Sequence, residues 1–292
     1  MTAPDNRLGI LLMVATVFCY TVQDGLTRHL AGEYNVLMVV MIRYWFFAAF
    51  VLMLVARRPG GLRAGLRTVQ PGLHFVRSVL HTSEIALIVL AFTLIGLINT
   101  HAVFAVCPLI VAALSGPVLG ERVGPWRWAA IGVGFAGILV ILQPGSDLFT
   151  PLAVLPLGSA VLFALYSLLT RRATQREAAF TAFVWSGLFG AILMTAVGIW
   201  FWQPMGPRDW ALTVANGAVA VLSNWLMIRC YEVAEAGAVQ PFAYLQLVFV
   251  AVMGVLVFDE VLQPNVAVGA AIVAAAGLFA PWRERLPRGQ RR

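Results

Sequence analysis

The sequence has no lysine and little charge of either sign. All 20 of its Lys+Arg residues are arginines, they stand against 13 acidic residues, and charged residues make up 11% of the composition. A soluble globular protein contains about 25% charged residues, because its surface must be solvated. The shortage of charge therefore excludes a soluble enzyme and a disordered chain.

Cysteine is scarce, and the common catalytic motifs are missing. Cys19, Cys107 and Cys230 are far apart and form no Cys-x-x-Cys pair, which excludes a disulfide scaffold. The sequence contains no His-Glu-x-x-His, no Gly-x-Ser-x-Gly and no Gly-x-x-x-x-Gly-Lys-Ser/Thr motif. We therefore expect no metal, no cofactor, no ATP-binding site in this chain and no enzyme activity. An intramembrane enzyme is the alternative from a different class.

Apolar residues are what the chain has in excess. They make up 61% of the composition, and the mean hydropathy is +0.86. A helix that crosses a bilayer needs about 20 consecutive, mostly apolar residues. Ten such runs predict an all-α membrane protein with ten transmembrane helices. The predicted spans are 8–30, 35–56, 72–93, 97–119, 126–143, 150–170, 179–201, 209–231, 237–258 and 264–282.

The arginines are distributed unequally between the two ends of the predicted spans. With the N-terminus in the cytoplasm, sixteen arginines lie on the cytoplasmic side, Arg28 and Arg208 lie on the other side, and Arg43 and Arg77 lie within spans. Cytoplasmic loops of membrane proteins carry an excess of basic residues. We therefore expect both termini in the cytoplasm and Asp147 outside. The basic residues then face lipid headgroups rather than nucleic acid.

The chain divides at about residue 146 into two predicted repeats of five spans, 1–146 and 147–292. Each repeat has a Glu-x-x-x-Pro step before its last span, at Glu121 and at Glu260. Because five is odd, the second repeat is upside down relative to the first, an arrangement that surrounds a central cavity in carriers. The steps have a simpler interpretation as helix starts, where proline and a nearby acid are both favoured. A gating role is the alternative.

These features together resemble a known family. A Cys-Pro-Leu step at 107–109, which predicts a kink, precedes Leu-Gly-Glu at 119–121, whereas the second repeat has Leu247 at the place of the proline. With its ten spans, the chain resembles the bacterial EamA-type carriers of the drug/metabolite transporter superfamily, and among them the exporters of aromatic amino acids. The resemblance implies a secondary transporter of the bacterial inner membrane that works by alternating access. The residues with an implied structural or gating role are Pro108, Glu121 and Glu260.

The third span carries the most ionisable residues. His74, Arg77, His81 and Glu84 follow one another at steps of three, four and three, so they share one helix face. Charged groups inside a bilayer are costly and face a cavity or one another. One interpretation is a structural ladder in which His81 lies between Arg77 and Glu84. The other is a substrate path lined by this face.

Asp24 and Arg43 are the other ionisable residues that sequence places near the cavity. Asp24 has Arg28 four residues on as a candidate partner, while Arg43 needs a partner and has Asp24 or Glu84 as candidates. A buried acid and a histidine can both titrate near neutral pH, so Glu84 and Asp24 are candidates for coupling transport to protons.

The remaining candidates combine polar groups with aromatic rings. In the ninth span Gln240 and Tyr244 share a face, and Gln246 is predicted to turn away from it. Aromatic walls with a few fixed polar groups suit a planar ligand with a charged head. The predicted substrate-binding residues are Arg77, His81, Glu84, His101, Phe104, Tyr166, Asn224, Trp225 and Tyr244.

The predicted function is export of aromatic and other neutral amino acids. A zwitterion with a planar side chain needs modest charge pairing and a ring on which to stack. The alternative substrates are cationic drugs or metabolites, or a solute like S-adenosylmethionine.

Overall fold

The computed structural model describes residues 6–58, 61, 65–120, 124–143, 151–234 and 239–284, and it contains no strand among them. Three short 3₁₀ segments accompany the α-helices, at Pro151–Ala153, Ile199–Phe201 and Gln240–Tyr244. The α-helices are α1 (Asn6–Glu33), α2 (Val36–Ala56), α3 (Pro71–Ile95), α4 (Leu97–Phe104), α5 (Cys107–Leu119), α6 (Pro125–Leu142), α7 (Val154–Thr174), α8 (Ala179–Gly198), α9 (Pro207–Val233), α10 (Leu245–Phe258) and α11 (Pro264–Glu284).

Local sequence explains where several helices begin. Asn35 caps α2, because its side-chain Oδ1 accepts a hydrogen bond from the backbone N–H of Leu37 at 2.9 Å. Proline opens four other helices, where its fixed φ suits the first turn and its missing N–H costs nothing. These prolines are Pro71, Pro125, Pro207 and Pro264.

Among the described residues, seven helical stretches are long and apolar enough to cross a membrane, and three further apolar helices are shorter. The seven are 7–33, 36–56, 71–95, 97–119, 151–174, 179–201 and 207–227. The shorter ones are Trp128–Leu142, Phe242–Phe258 and Pro264–Phe279. The prediction of an all-helical membrane protein is confirmed, while the number of ten spans stays a prediction.

The predicted span 97–119 is interrupted where the sequence predicts a kink. Proline has no N–H, so Pro108 cannot donate to the carbonyl group four residues earlier. The helix instead tightens, with Val106 N–H donating to the carbonyl of Val103 at 3.3 Å, and α5 begins anew at Cys107. A second break, at Gly96 with φ of +84°, separates α3 from α4. α4 is therefore a short helix between two breaks. The direction of its side chains is independent of the direction of those on α5.

Helices from the two halves of the sequence pack on one another. α1 packs along α9, α3 along α7 and α8, α2 along α8, and α6 along α11. Large apolar side chains such as Trp200 and Leu256 remain exposed on the outside, as expected for a surface that faces lipid. The interior of the protein is therefore the contact region between the two halves.

Candidate functional site

A cavity of about 360 Å³ lies between the two halves. α1 to α4 line it from the first half, and α7 to α10 line it from the second. Pockets that bind small molecules have volumes of roughly 300–1,000 Å³. Because both halves form the walls, a movement of one half against the other would change access to the cavity.

Aromatic side chains form one wall of this cavity. The imidazole of His81 stacks on the ring of Tyr166, with centroids 4.3 Å apart and planes 7° from parallel. The ring of Phe163 lies 6.3 Å from that of His81 and 5.9 Å from that of Tyr166, and Phe104 meets Phe163 edge-on at 5.8 Å. Flat rings of this kind bind other flat rings by stacking.

Two histidine–carboxylate pairs also line the cavity. His81 Nδ1 lies 3.2 Å from Glu84 Oε2, and His101 Nε2 lies 3.2 Å from Asp24 Oδ2. Gln246 Nε2 donates to the same Asp24 oxygen at 3.3 Å. Neither imidazole nitrogen makes a hydrogen bond to its carboxylate, because the carboxylate is close but not aligned with it. Each pair therefore has an ion-pair contact without a hydrogen bond between its two members.

The cation of the cavity wall is Arg43. With the Gln23 amide oriented so that its oxygen faces the guanidinium, that oxygen accepts hydrogen bonds from Arg43 Nη2 at 3.0 Å and Nη1 at 3.2 Å. Gln23 is thus the partner, in place of the predicted Asp24 or Glu84. Among the described lining residues, Asp24 and Glu84 supply two carboxylates and Arg43 supplies one guanidinium.

Arg77 lies behind the cavity wall and takes part in a continuous hydrogen-bonded chain. It is 1% exposed, and it donates to His74 Nδ1 at 2.8 Å, to Thr170 Oγ1 at 2.9 Å and to Ser186 Oγ at 3.3 Å. His74 Nε2 lies 2.9 Å from Glu177 Oε2. A guanidinium can only donate, so His74 Nδ1 accepts and its Nε2–H donates to Glu177. Every polar group of this chain has a partner.

Glu177 ends this chain in the turn between α7 and α8. Burial acts to raise the pKa of Glu177, but hydrogen bonds from His74, from Thr68 and from the backbone of Val69 outweigh it, so the pKa is lowered overall. The Val69 N–H donates to the carboxylate at 2.6 Å, and Thr68 Oγ1 donates at 2.8 Å. The carboxylate therefore joins the loop before α3 to the turn before α8.

Glu260 connects helices at the opposite end of the cavity. Its carboxylate forms an ion pair with Arg28 and accepts hydrogen bonds from the N–H groups of Leu97 at 2.7 Å and Ile98 at 2.8 Å. A side chain at Gly96 would be only 2.7 Å from this carboxylate. Glu260 therefore caps α4 and not α11, the helix that follows it. Arg28 is taken by Glu260, so the predicted Asp24–Arg28 pair is not formed.

The structure brings together most, but not all, of the sequence-predicted residues. His81, Glu84, His101, Phe104, Tyr166, Asn224 and Asp24 line the cavity. Trp225 is 48% exposed and lies outside the lining, and the hydroxyl of Tyr244 packs towards Gly277, also outside it. Arg77 lies one layer behind the wall. Glu121 lies outside the described residues.

Several lining residues were missed by sequence reasoning. Tyr44, Gln23 and Gln246 all line the cavity, although Gln246 was predicted to turn away. Two helical steps turn the chain by about 200°, so Gln246 and Tyr244 do lie on different faces, and the error was in which of the two faces borders the cavity. The side chain of Gln240 lies outside the described residues. The missed aromatic lining residues are Tyr20, Phe47, Phe92, Phe163 and Phe183, which the sequence did not distinguish from aromatic residues facing lipid.

Apolar helices long enough to cross a bilayer, packed around an internal cavity with polar groups, define a multi-pass membrane protein of the transporter class. The sequence model of the EamA-like transporter family matches residues 7–143 and, a second time, residues 151–280. The chain belongs to the EamA-like transporter family.

Named relatives cover nearly the whole chain. A riboflavin transporter of Vibrio cholerae is 28% identical over 97% of this chain and 96% of its own length, and one of Rhizobium johnstonii is 30% identical over 93% and 90%. An S-adenosylmethionine uptake transporter of Rickettsia prowazekii is 23% identical over 95% and 93%. A protein of known crystal structure shares the fold, with a TM-score of 0.64 at 19% identity over 97% of this chain and 100% of that one.

Proposed function

We propose that this chain is a secondary transporter for a planar heteroaromatic solute, and that the solute is riboflavin. The observation that carries the proposal is the cavity, in which the stacked rings of His81 and Tyr166 face polar side chains. Riboflavin combines a flat fused ring with a polyhydroxylated chain. The aromatic wall suits the ring, while Asp24, Asn224 and Gln246 suit the hydroxyl groups. The names of two relatives point to the same solute.

A solute of the S-adenosylmethionine type is the second candidate. It also has a flat heteroaromatic ring, and it carries a sulfonium cation. Asp24 and Glu84 give the cavity one more carboxylate than Arg43 balances, which favours a cation. The relatives described above are not named as exporters of aromatic amino acids, so their names do not support that prediction. Phenylalanine is therefore included as a third solute in the counterflow experiment below.

The architecture we propose for this function is ten spans in two inverted repeats, 1–146 and 147–292. The same family model matches the chain twice, once in each half. The packing also supports it, because exchanging the halves turns the α1–α9 contact into the α7–α3 contact, and both are extensive. In such carriers the site lies between the repeats, and rocking of one repeat opens it to either side.

The two ends of the cavity suit alternating access. Arg28–Glu260 joins the halves at one end, and the Glu177–His74–Arg77 chain joins α3 to α7 and α8 at the other. A carrier must break one closure at a time, since opening both would make a channel. Glu84 and Asp24, each beside a histidine in the cavity, are the groups we propose to couple transport to protons.

Counterflow in proteoliposomes tests the substrate. Vesicles are loaded with riboflavin, S-adenosylmethionine or phenylalanine, and uptake and release of the labelled solute are both followed. We expect riboflavin to drive saturable exchange of labelled riboflavin. Exchange driven only by S-adenosylmethionine would replace the first candidate by the second, and exchange driven only by phenylalanine would restore the amino-acid prediction.

A pair of aromatic variants tests whether this cavity is the site. Tyr166→Leu removes a ring from the stacked wall, and we expect about tenfold weaker riboflavin binding, equivalent to roughly 1.4 kcal/mol, so that exchange at sub-saturating riboflavin slows by a similar factor. Trp225→Leu removes an exposed ring outside the cavity and should change exchange less than about twofold. Equal effects of the two variants would place the site elsewhere.

The orientation we propose has both termini in the cytoplasm, because sixteen of the arginines then lie on that side. Single cysteines at positions 147 and 290, in a background without the three native cysteines, test it. An impermeant thiol reagent applied outside should label position 147 and not position 290. Equal labelling of both would contradict the orientation.

A further inference from the structure

Tyr44 is a buried tyrosine of α2 in the cavity wall, 3% exposed. Its ring meets that of His81 edge-on with centroids 6.4 Å apart, and the ring of Phe47 lies 6.3 Å away. On the other side it packs against the backbone of α8 at Gly190, where a Cβ would overlap the ring. The position of the ring is therefore set by packing and does not depend on its hydroxyl.

The hydroxyl of Tyr44 has no hydrogen-bond partner. Five buried side-chain nitrogen or oxygen atoms in the described part of the chain lack one, and they belong to Tyr44, His81, His101, Trp185 and Tyr244. An unpaired buried polar group destabilises the fold, because it has lost its hydrogen bonds to water. His81 and His101 each lie 3.2 Å from a carboxylate, and Trp185 and Tyr244 lie outside the cavity lining. Tyr44 is therefore the residue of this group that lines the cavity and has no charged partner within ion-pair distance, so its hydroxyl can form a hydrogen bond with a solute.

We propose that the Tyr44 hydroxyl is a substrate-binding group that hydrogen-bonds the polar edge of a planar heteroaromatic ring in the loaded carrier. The hydroxyl can donate and accept, and the imidazole of the neighbouring His81 offers a second polar atom. An edge on which carbonyl and ring N–H groups alternate, as in the pyrimidine-dione part of a flavin, can pair with both. The proposal rests on the proposed function, since it names the part of that solute which Tyr44 recognises.

Specificity follows from the same pairing. A site with buried groups that need partners rejects a solute that cannot supply them, because binding would leave those groups unpaired. The side chain of phenylalanine has no polar edge and would leave Tyr44 and His81 as they are. Tyr44 therefore favours a heteroaromatic ring over a hydrocarbon ring of similar shape.

The test compares two variants that each remove one unpaired buried hydroxyl, Tyr44→Phe in the cavity wall and Tyr244→Phe outside it. Thermal unfolding of the purified, substrate-free protein should occur at the wild-type temperature or slightly above it in both. Binding of riboflavin, measured by quenching of its fluorescence, should be about tenfold weaker in Tyr44→Phe and unchanged in Tyr244→Phe. A hydroxyl with only a structural role would show the reverse, with lower stability and unchanged binding.

Lumiflavin, which keeps the ring system and lacks the polyhydroxylated chain, identifies the part of the solute that Tyr44 contacts. Tyr44→Phe should weaken lumiflavin and riboflavin binding by the same factor. A loss seen with riboflavin alone would assign Tyr44 to the chain and overturn the ring-edge contact. Equal riboflavin binding by Tyr44→Phe and wild type would overturn the proposal and leave riboflavin transport standing. Absence of riboflavin binding by the wild type would overturn both.

Discussion

The two ends of α3 carry the same kinds of residue and use them differently. At the first end, His74 and Arg77 belong to a chain in which each donor and acceptor has a partner. Two turns later, His81 Nδ1 lies beside the Glu84 carboxylate but makes no hydrogen bond to it. A complete network stabilises the conformation in which it forms, whereas a polar group without a hydrogen bond can bind a ligand.

The difference comes from the helices opposite α3. Around Arg77, α7 and α8 supply Thr170 and Ser186, which accept its hydrogen bonds. Around His81, α7 supplies the rings of Tyr166 and Phe163, which cannot satisfy an imidazole nitrogen in its plane. Polar side chains on one helix face therefore become structural or ligand-binding according to what faces them.

The largest expected effect is on the stability of the complete network. Arg77→Ala leaves His74, Thr170 and Ser186 without their donor, and removing one member of a buried charged network costs about 3–5 kcal/mol. We expect Arg77→Ala to lower the unfolding temperature strongly or to prevent accumulation of folded protein, as followed by fluorescence-detected size exclusion. Arg67→Ala removes an exposed arginine and should behave as wild type. Equal stability of the two variants would contradict a structural role for this network.

A transport defect without a folding defect is expected at the other end of α3. In the wild type, Ser159 Oγ donates a hydrogen bond to Glu84 at 3.2 Å. Glu84→Gln keeps an oxygen that can accept this bond, but it removes the charge beside His81. We expect the initial rate of counterflow to fall more than about tenfold while the unfolding temperature stays near that of wild type. His81→Ala should act in the same direction. Normal transport by both variants would mean that this part of α3 is structural too.

The smallest expected effect is a change in pH dependence at Glu177. Because its pKa is lowered in the folded protein, Glu177 stabilises the fold above the pKa of the unfolded chain, about 4.3, and that stabilisation is lost as the pH falls through the folded value. Glu177→Gln should therefore be less stable than wild type near pH 6, with the difference shrinking below about pH 4.3. Unfolding temperatures from pH 7 to pH 3.5 measure this.

The matched control for that pH series is Glu33→Gln, which neutralises an exposed carboxylate at the end of α1. Its pH profile should follow that of the wild type. A difference between Glu177→Gln and wild type that is the same at every pH would show that the carboxylate acts through its shape and not through its charge.

Helical spacing correctly placed His74, Arg77, His81 and Glu84 on one face of α3, since that is a property of a single helix. Helical spacing could not predict that His74 and Arg77 form a complete network while His81 and Glu84 line the cavity, because that difference depends on the side chains of α7 and α8. The same limit explains Trp225. Its position on α9 beside the lining residue Asn224 looked suitable, but one residue is a rotation of about 100°, which turns its ring to the outside.

Local sequence was enough to predict the class of protein, the helices and most of their starts. Those follow from local physics, because apolar runs must be helical in lipid and proline suits a first turn. Contacts between distant residues come from the packing of the helices, as when Glu260 pairs with Arg28 and caps α4, both more than half of the chain away from it. Such pairings depend on helix rotation and on which helices pack together. None of these can be read from the neighbours of a residue in sequence.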